Sequence, residues 1–188
     1  MDAATDGFSE AKRVGAGAFG VVFRAEALPA LAYCRGPFAI KRAKESSRVH
    51  IEATWKEVRL LAKLRHENLL PLLGYSLSTP PCLVYPLCCG GNFEDRLRVT
   101  DGRSWERLRR LSFQEQPPAL TWKERLRVIN GASSAVLYLH SLNAAHRDIK
   151  PSNILLGEAL VPLLGDTGLA KATQSDQSRG STTRGGTP

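Results

Sequence analysis

Apolar and polar positions follow two different periods along this chain, and the changes of period mark its organisation. Residues 12–25 read Lys-Arg-Val-Gly-Ala-Gly-Ala-Phe-Gly-Val-Val-Phe-Arg-Ala, two short apolar runs pinched by glycines, and Phe38-Ala39-Ile40-Lys41 is a third. Each has the length and flanks of a β-strand, so the chain is expected to open as an antiparallel sheet. Over residues 49–64 the period changes: Val58, Leu61 and Leu64 recur at helical spacing with Lys56, Arg59 and Lys63 between them. That predicts one amphipathic helix. Residues 69–75 and 82–87 return to strand-like apolar runs, separated by Ser-Thr-Pro-Pro, and Cys89-Gly90-Gly91-Asn92 reads as a loop after the second. The composition changes there, which places a lobe boundary near residue 90.

Beyond that loop, residues 93–99 predict a short helix, and 101–118 a charged, irregular connection with a helical turn around 105–111. Thr121-Trp122-Lys123-Glu124 has the form of a capping box, in which the Thr hydroxyl accepts from the N3 amide and Glu124 reaches back to the Thr amide. A helix should therefore begin at Trp122 and bury Leu126, Ile129, Ala132, Val136, Leu137 and Leu139 along one face as far as His140. The stretch 172–188 is rich in Ser, Thr, Gly and Gln and carries no periodicity. There is no internal repeat.

Composition narrows the class. With 188 residues, 43% hydrophobic and 23% charged, the chain falls among ordinary globular proteins, which excludes a disordered, collagen-like or disulfide-scaffold protein. The length suits one domain, or two small lobes sharing a core. The cysteines Cys34, Cys82, Cys88 and Cys89 lack C-x-x-C spacing, so neither a zinc site nor a disulfide framework is indicated and reduced thiols are expected. The N-terminal stretch is acidic and polar, and no run approaches the roughly 18 apolar residues of a membrane span. A cytoplasmic location without a membrane span is the expectation.

The net charge of +8 favours phosphate-bearing or otherwise acidic partners. Much of that charge lies between Arg96 and Arg127, with Arg107, Arg109 and Arg110 near Trp105 and Phe113. A nucleic-acid patch is one reading. No nucleic-acid motif accompanies it, so we read a solvated face of a basic insert and expect no specific nucleic-acid partner.

The glycine run Gly15-x-Gly17-x-x-Gly20-x-Val22 is shared with dinucleotide-binding folds, and its flanks decide between them. A dinucleotide fingerprint needs an apolar strand before the glycines, a helix after them and an acid about 20 residues on. Here Asp6-Gly-Phe-Ser-Glu-Ala-Lys is no such strand, Val21-Val22-Phe23 continues as a strand, and Pro37-Phe38-Ala39-Ile40 occupies the acid's place. The glycines belong in a hairpin whose amides can close over phosphates. In order behind them come Ala39-Ile40-Lys41, a helix with Glu57, then His146-Arg147-Asp148-Ile149-Lys150-Pro151-Ser152-Asn153, then Asp166-Thr167-Gly168.

This ordered set resembles the protein kinase signature, collinearly from Gly15 to Thr187. The resemblance implies an α+β, bilobal protein-kinase-like fold. Residues 1–85 would form an N-lobe of antiparallel sheet plus one helix, 86–91 a hinge, and 92–188 a partial, mainly helical C-lobe ending within the activation segment. It implies ATP and Mg²⁺ as cofactors, a protein substrate, and serine/threonine phosphoryl transfer, in which the protein mainly positions groups and neutralises charge. Lys41 would hold the α and β phosphates and be held by Glu57. Asp148 would accept or orient the substrate hydroxyl proton, and Lys150 would add positive charge at the transferred group. Asn153 and Asp166 would ligate Mg²⁺. His146 would be a packed core residue rather than a catalyst.

For the nucleotide base, the resemblance places Val22 and Ala39 as a roof, Leu155 as a floor, Tyr85 at the gatekeeper position, and Pro86, Leu87 and Cys88 in the hinge. The Pro86 carbonyl would accept from the adenine amine and the Cys88 amide would donate to the ring. Proline lacks an N–H, but the first contact asks only for an acceptor. A tyrosine gatekeeper, with Phe8-Ser9-Glu10, His66-Glu67-Asn68-Leu69, Leu72-Leu73-Gly74, Asp95-Arg96-Leu97 and Leu164-Gly165-Asp166, is most similar to the interleukin-1 receptor-associated (Pelle-type) kinases, with plant receptor-like kinases as close relatives. That resemblance implies a role in Toll and interleukin-1 receptor signalling and a receptor-adaptor complex as partner.

Two departures qualify the resemblance. Thr167 replaces the family's Phe, which would pack between His146 and the position matching Leu61. A smaller, hydroxyl-bearing residue there implies weak or partner-dependent activity, so a nucleotide-binding, pseudokinase-like interaction module is the alternative reading. The chain also ends at Pro188, before the Ala-Pro-Glu motif, so a truncated domain with an exposed apolar face on the 122–140 helix is expected. Ser181, Thr182 and Thr183 lie where related kinases are phosphorylated. They are candidate phosphosites that could pair with Arg147, or members of a plain polar tail.

Overall fold

Five strands pair antiparallel in the order β1-β2-β3-β5-β4. They are β1 (Arg13–Ala16), β2 (Gly20–Ala25), β3 (Phe38–Ala43), β4 (Gly74–Ser76) and β5 (Cys82–Pro86), and the helix α1 (Arg48–Leu61) falls between β3 and β4 in the chain. The computed structural model describes residues 1–17, 20–34, 36–44, 48–76, 79–166 and 171–172, apart from the side chains of 48–50, 53, 56, 57, 60, 171 and 172. The sheet's register sorts side chains by parity, because successive residues of a strand point to opposite faces. Ile40 pairs with Val84, and both lie in one core cluster with Ala25, Phe38 and Cys82. Ala39 pairs with Tyr85 and Lys41 with Leu83; Leu83 and Tyr85 join Val58, Leu61 and Leu70 in a second cluster, on the face covered by α1. Lys41 therefore points to the α1 side of the sheet.

Helices follow: α2 (Phe93–Leu97), α3 (Gly102–Arg110) and α4 (Trp122–Ser141). Asn92 caps α2, its side chain accepting from the Asp95 amide at 2.8 Å. The expected capping box at α4 is formed, with the Thr121 hydroxyl accepting from the Glu124 amide at 3.3 Å and the Glu124 carboxylate accepting from the Thr121 amide at 2.7 Å. Short strands follow among the described residues: β6 (Ala144–Ala145) with β9 (Lys171–Ala172), and the hairpin of β7 (Ile154–Leu156) with β8 (Pro162–Leu164). The result is an α+β fold with an antiparallel sheet lobe and a largely helical remainder, as expected.

Three expectations need correction. Residues 69–75 form no continuous strand: only Gly74–Ser76 joins the sheet, while Leu69 bridges Leu164 in parallel. The Leu164 amide donates to Asn68 O at 2.8 Å and the Leu70 amide to Leu164 O at 3.0 Å, so Leu69 and Leu70 are buried as a seam against β8, while Pro71 and Tyr75 are exposed. Residues 102–110 form a full helix where an irregular connection was expected, because Asp101 accepts from the Arg103 and Ser104 amides at 2.7 and 3.3 Å as an N-cap. On α4, the buried stripe is Val128, Ala132, Ala135 and Leu139. Leu126, Ile129 and Leu137 are exposed at 55%, 45% and 68%, since a helix with two apolar stripes presents only one to its partners. The exposure itself was anticipated from the resemblance.

No helix among the described residues is long and apolar enough to cross a membrane. The four cysteines are all free.

Candidate active site

Where β1 and β2 approach each other, the Gly17 amide donates to Gly20 O at 2.9 Å, and Gly15 faces Val22 across the pair. At Gly20 a Cβ would sit 2.6 Å from the Arg42 carbonyl oxygen, so only glycine lets β2 lie this close to β3 beside Lys41. Val22 pairs with Lys41 in the same register.

Lys41 reaches across to the end of β8. Its ammonium lies 3.1 Å from Asp166 Oδ1, joining residues 125 positions apart in the chain. Glu57 lies on α1, and its side chain is among those not described; Thr167, Gly168, Ser181, Thr182, Thr183 and Thr187 also lie outside the described residues.

The loop before β7 forms one hydrogen-bonded unit. Lys150 Nζ donates to Asp148 Oδ2 at 2.6 Å, and Asn153 Nδ2 donates to the same oxygen at 2.9 Å and to the Asp148 backbone carbonyl at 2.8 Å. Both side-chain donors use Oδ2, leaving Oδ1 turned toward neither. Bonding to Lys150 and then Asn153 stabilises the ionised form and holds the Asp148 carboxyl below its usual range, while the Asp148 bond raises Lys150. A lowered carboxyl stays deprotonated to lower pH, so a base at Asp148 is lost only in stronger acid. Lys150→Met removes the leading cause, and the acid limb of the kcat/KM profile is expected to move to higher pH. A limb that stays in place would detach Asp148 from that titration.

This unit is tied to Asp166 from beneath. His146, 1% exposed, has Nε2 2.9 Å from Gly165 O and accepts from the Asp148 amide on Nδ1 at 3.3 Å. The Gly165 amide donates to Asn153 O at 2.8 Å. Arg147 and Asp166 flank these bonds with φ of 68° and 57°, left-handed conformations that non-glycine residues adopt at a cost, here held by the surrounding network. For a divalent cation the fit is chemical: Asn153 commits its amide nitrogen to Asp148, which directs its amide oxygen elsewhere, and Asp166 supplies a carboxylate. Both are the hard oxygen donors Mg²⁺ takes, on residues whose backbones are laced together.

At the hinge, the Leu87 amide donates to Pro37 O at 3.0 Å. Backbone groups alternate along an extended strand, so the Pro86 carbonyl and Cys88 amide face the opposite edge. Tyr85 and Cys88 lie in the cluster against which Ala39 and Leu155 pack, so these four of the residues expected around a nucleotide base share one apolar wall. The Gly90 amide donates to Leu156 O at 2.9 Å and the Leu156 amide to Gly91 O at 2.8 Å, fastening β7 to the end of the hinge. Burial pushes the Cys88 thiol up to about 12, with the neighbouring Cys89 adding to the shift, so this thiol is not a nucleophile.

Two ammonium groups, of Lys41 and Lys150, two carboxylates, of Asp148 and Asp166, and the Asn153 carboxamide are thus tied into one network through Gly165 and His146. Residues 8–188 match the family model for protein tyrosine and serine/threonine kinases. The chain belongs to the protein kinase family. Its relatives include the serine/threonine-protein kinase pelle of Drosophila melanogaster, 35% identical over 91% of this chain and 33% of the relative. Interleukin-1 receptor-associated kinase 1 of Bos taurus is 34% identical over 90% of this chain and 22% of the relative. Cysteine-rich receptor-like protein kinase 10 of Oryza sativa subsp. japonica is 38% identical over 94% of this chain and 25% of the relative. The chain thus spans a third or less of the length of these relatives, and its likeness to both Pelle-type and plant receptor-like kinases agrees with the resemblance drawn from the motifs.

Sequence reading of this kinase-family chain missed two features beside the cleft. One is the latch of Gly90 and Gly91 on Leu156, for which the paired glycines were the available sign. The other is the full extent of α3, expected only as a turn around 105–111; its Arg107 guanidinium bridges the Asp95 carboxylate on α2, with Nε 2.9 and 3.1 Å from the two oxygens. The arginines of this region are largely engaged within the protein: Arg96 is buried, and Arg110 lies 3.5 Å from both Glu10 and Glu106. The Asp101 cap was the overlooked signal.

Proposed function

We propose that this chain carries an ATP- and Mg²⁺-dependent serine/threonine kinase activity, transferring the γ-phosphoryl group of ATP to protein hydroxyls. The observation that supports it is the contact of Lys41 with Asp166 and the backbone tie through Gly165 from Asp166 to the Asp148–Lys150–Asn153 unit. Lys41 neutralises and orients the nucleotide phosphates, with Glu57 on α1 as its proposed second partner. Asp148, with Oδ1 unencumbered, accepts the proton of the attacking hydroxyl, and Lys150 holds its other oxygen while opposing the charge of the transferred group. Asn153 and Asp166 hold Mg²⁺, which when bound neutralises phosphate charge. The Pro86 carbonyl and Cys88 amide read the base, between Val22 and Ala39 above and Leu155 below, with Tyr85 closing the back. By likeness to the interleukin-1 receptor-associated relative, the setting is a cytoplasmic, receptor-associated signalling complex.

A second reading, a nucleotide-binding module with little turnover, is favoured by Thr167 in place of the family's aromatic. Thermal unfolding with and without Mg-ATP, run beside radiolabel transfer to a generic basic protein, separates the two. Stabilisation together with transfer is expected for a kinase. Stabilisation alone would select the module, and neither would remove both readings.

A further inference from the structure

Ser112 follows α3 in a conformation that serine does not favour, with φ of 75° in the left-handed region. The Ser112 amide donates to Arg109 O at 2.9 Å and the Phe113 amide to Leu108 O at 3.4 Å. This is the Schellman pattern of a helix end, with Ser112 at the position that glycine usually fills. A glycine there would close the same bonds without the steric cost of a Cβ, so the backbone alone gives no reason for a serine. The side chain supplies one. Arg24 Nη1 donates to the Ser112 hydroxyl across 88 positions of chain, joining the end of α3 to β2. The guanidinium is held ready for this contact, because Glu26 accepts from its Nε at 2.7 Å and from its Nη2 at 3.3 Å.

The same hydroxyl is set out as an acceptor for a phosphoryl group. Ser112 is exposed, and residues 111–121 contain neither helix nor strand. Arg107, Arg109 and Arg110 stand five, three and two positions ahead of it, and Phe113 follows. Arg109 is exposed and meets no carboxylate among the described residues. Protein kinases choose targets partly by the charge pattern around the acceptor, and forked guanidinium donors fit a substrate groove lined with carboxylates. Helix ends fray, so opening the last turn of α3 lays Arg109 and Arg110 in line with Ser112.

The neighbours of the hydroxyl indicate what a phosphate would do there. It adds about −1.5 to −2 of charge and three acceptor oxygens. At a helix C-terminus such a charge opposes the macrodipole, so cations must hold it. Arg24 already directs Nη1 at that oxygen, and Arg109 and Arg110 stand in the last turn of α3. Replacing a neutral acceptor with a dianion makes the Arg24 bond charge-assisted. That bond runs from the sheet to α3, which is itself anchored on α2 by Arg107 and Asp95. We propose that Ser112 is a phosphorylation site for a protein kinase that reads arginines ahead of its target, and that the phosphoserine fastens α3 to β2 through Arg24. In the transfer, Ser112 Oγ bonds the γ-phosphorus of ATP and the bond from that phosphorus to the β,γ-bridging oxygen breaks. ADP leaves, and the hydroxyl proton passes to a carboxylate of the modifying enzyme. That enzyme is a separate protein, so the inference stands apart from the kinase reading of this chain.

The whole folded chain is incubated with radiolabelled Mg-ATP and the catalytic subunit of cyclic-AMP-dependent protein kinase, a reagent enzyme of this specificity. Label above that of a sample without the enzyme is mapped by peptide mass spectrometry. Ser112 is expected to be labelled, and its labelling to fall about tenfold or more when Arg109 and Arg110 are both replaced by Ala. Ser112→Gly, which suits the left-handed backbone and keeps the helix end, should lose that label. Hydrogen exchange of residues 102–113 is then compared before and after phosphorylation, without nucleotide. Slowing by about tenfold is expected, the scale of one charge-assisted hydrogen bond, and Arg24→Ala should abolish it. Absence of label at Ser112, or label there that ignores the two arginines, would overturn the proposal. So would unchanged or faster exchange in the phosphorylated chain, or a slowing that persists in Arg24→Ala.

Discussion

Replacing Asp148 with Asn is expected to lower phosphoryl transfer by roughly 10²–10⁴-fold, the range associated with a positioned acid or base, while Mg-ATP still stabilises the protein against heat. Asparagine keeps the size of the side chain and one carbonyl oxygen, so Asn153 and Lys150 retain an acceptor. What is lost is the charge and the capacity to take a proton, because the second oxygen becomes an amide nitrogen. The same replacement leaves Lys150 without its counter-ion 2.6 Å away, which removes the force that orients it. Radiolabel transfer in the full-length protein is the measurement. Transfer at the wild-type rate would take Asp148 out of the chemistry.

Leu164→Ala is expected to cost about 2–5 kcal/mol of folding stability, the usual range for emptying a packed leucine site. Leu164 is fully buried, in one cluster with Leu69, Leu156, Val128 and Leu139, so its side chain joins the sheet seam, the β7–β8 hairpin and α4. It also stands two residues ahead of Asp166, and the cavity left behind would loosen the strand that aims that carboxylate. Leu137, 68% exposed on the outer face of α4, supplies the contrast: its replacement by Ala is expected to stay within about 0.5 kcal/mol. Urea titration of both variants compares them. Equal losses would contradict the assignment of inner and outer faces on α4.

The exposed outer stripe of α4 shows how far periodicity carries. Leu126, Ile129 and Leu137 follow the helical repeat as well as Val128, Ala132 and Leu139 do, and the repeat alone does not say which stripe meets the β7–β8 hairpin. Burial is decided by partners, and those partners lie elsewhere in the chain. The capping box at Thr121 was readable because its donors and acceptors are three residues apart. The same reasoning applied to Asp101 would have revealed α3; the arginine-rich composition that follows drew the reading toward a solvated insert. Residues 69–75 misled for a related reason, since an apolar run is equally suited to a strand and to a buried seam.

Local chemistry settled much about this protein before any fold was at hand: the glycine run, the strands around Lys41, the helix cap at Thr121, and the ordered set of residues that marks the kinase family. These depend on contacts over a few residues, or on spacing that survives in one dimension. Folding in three dimensions was needed to bring Lys41 to Asp166 across 125 positions, to hang His146 on Gly165, and to set the end of α3 beside Arg24 of β2. Such pairings follow from the packing of surfaces drawn from separate segments, and a linear spacing carries no information about which distant surfaces will meet.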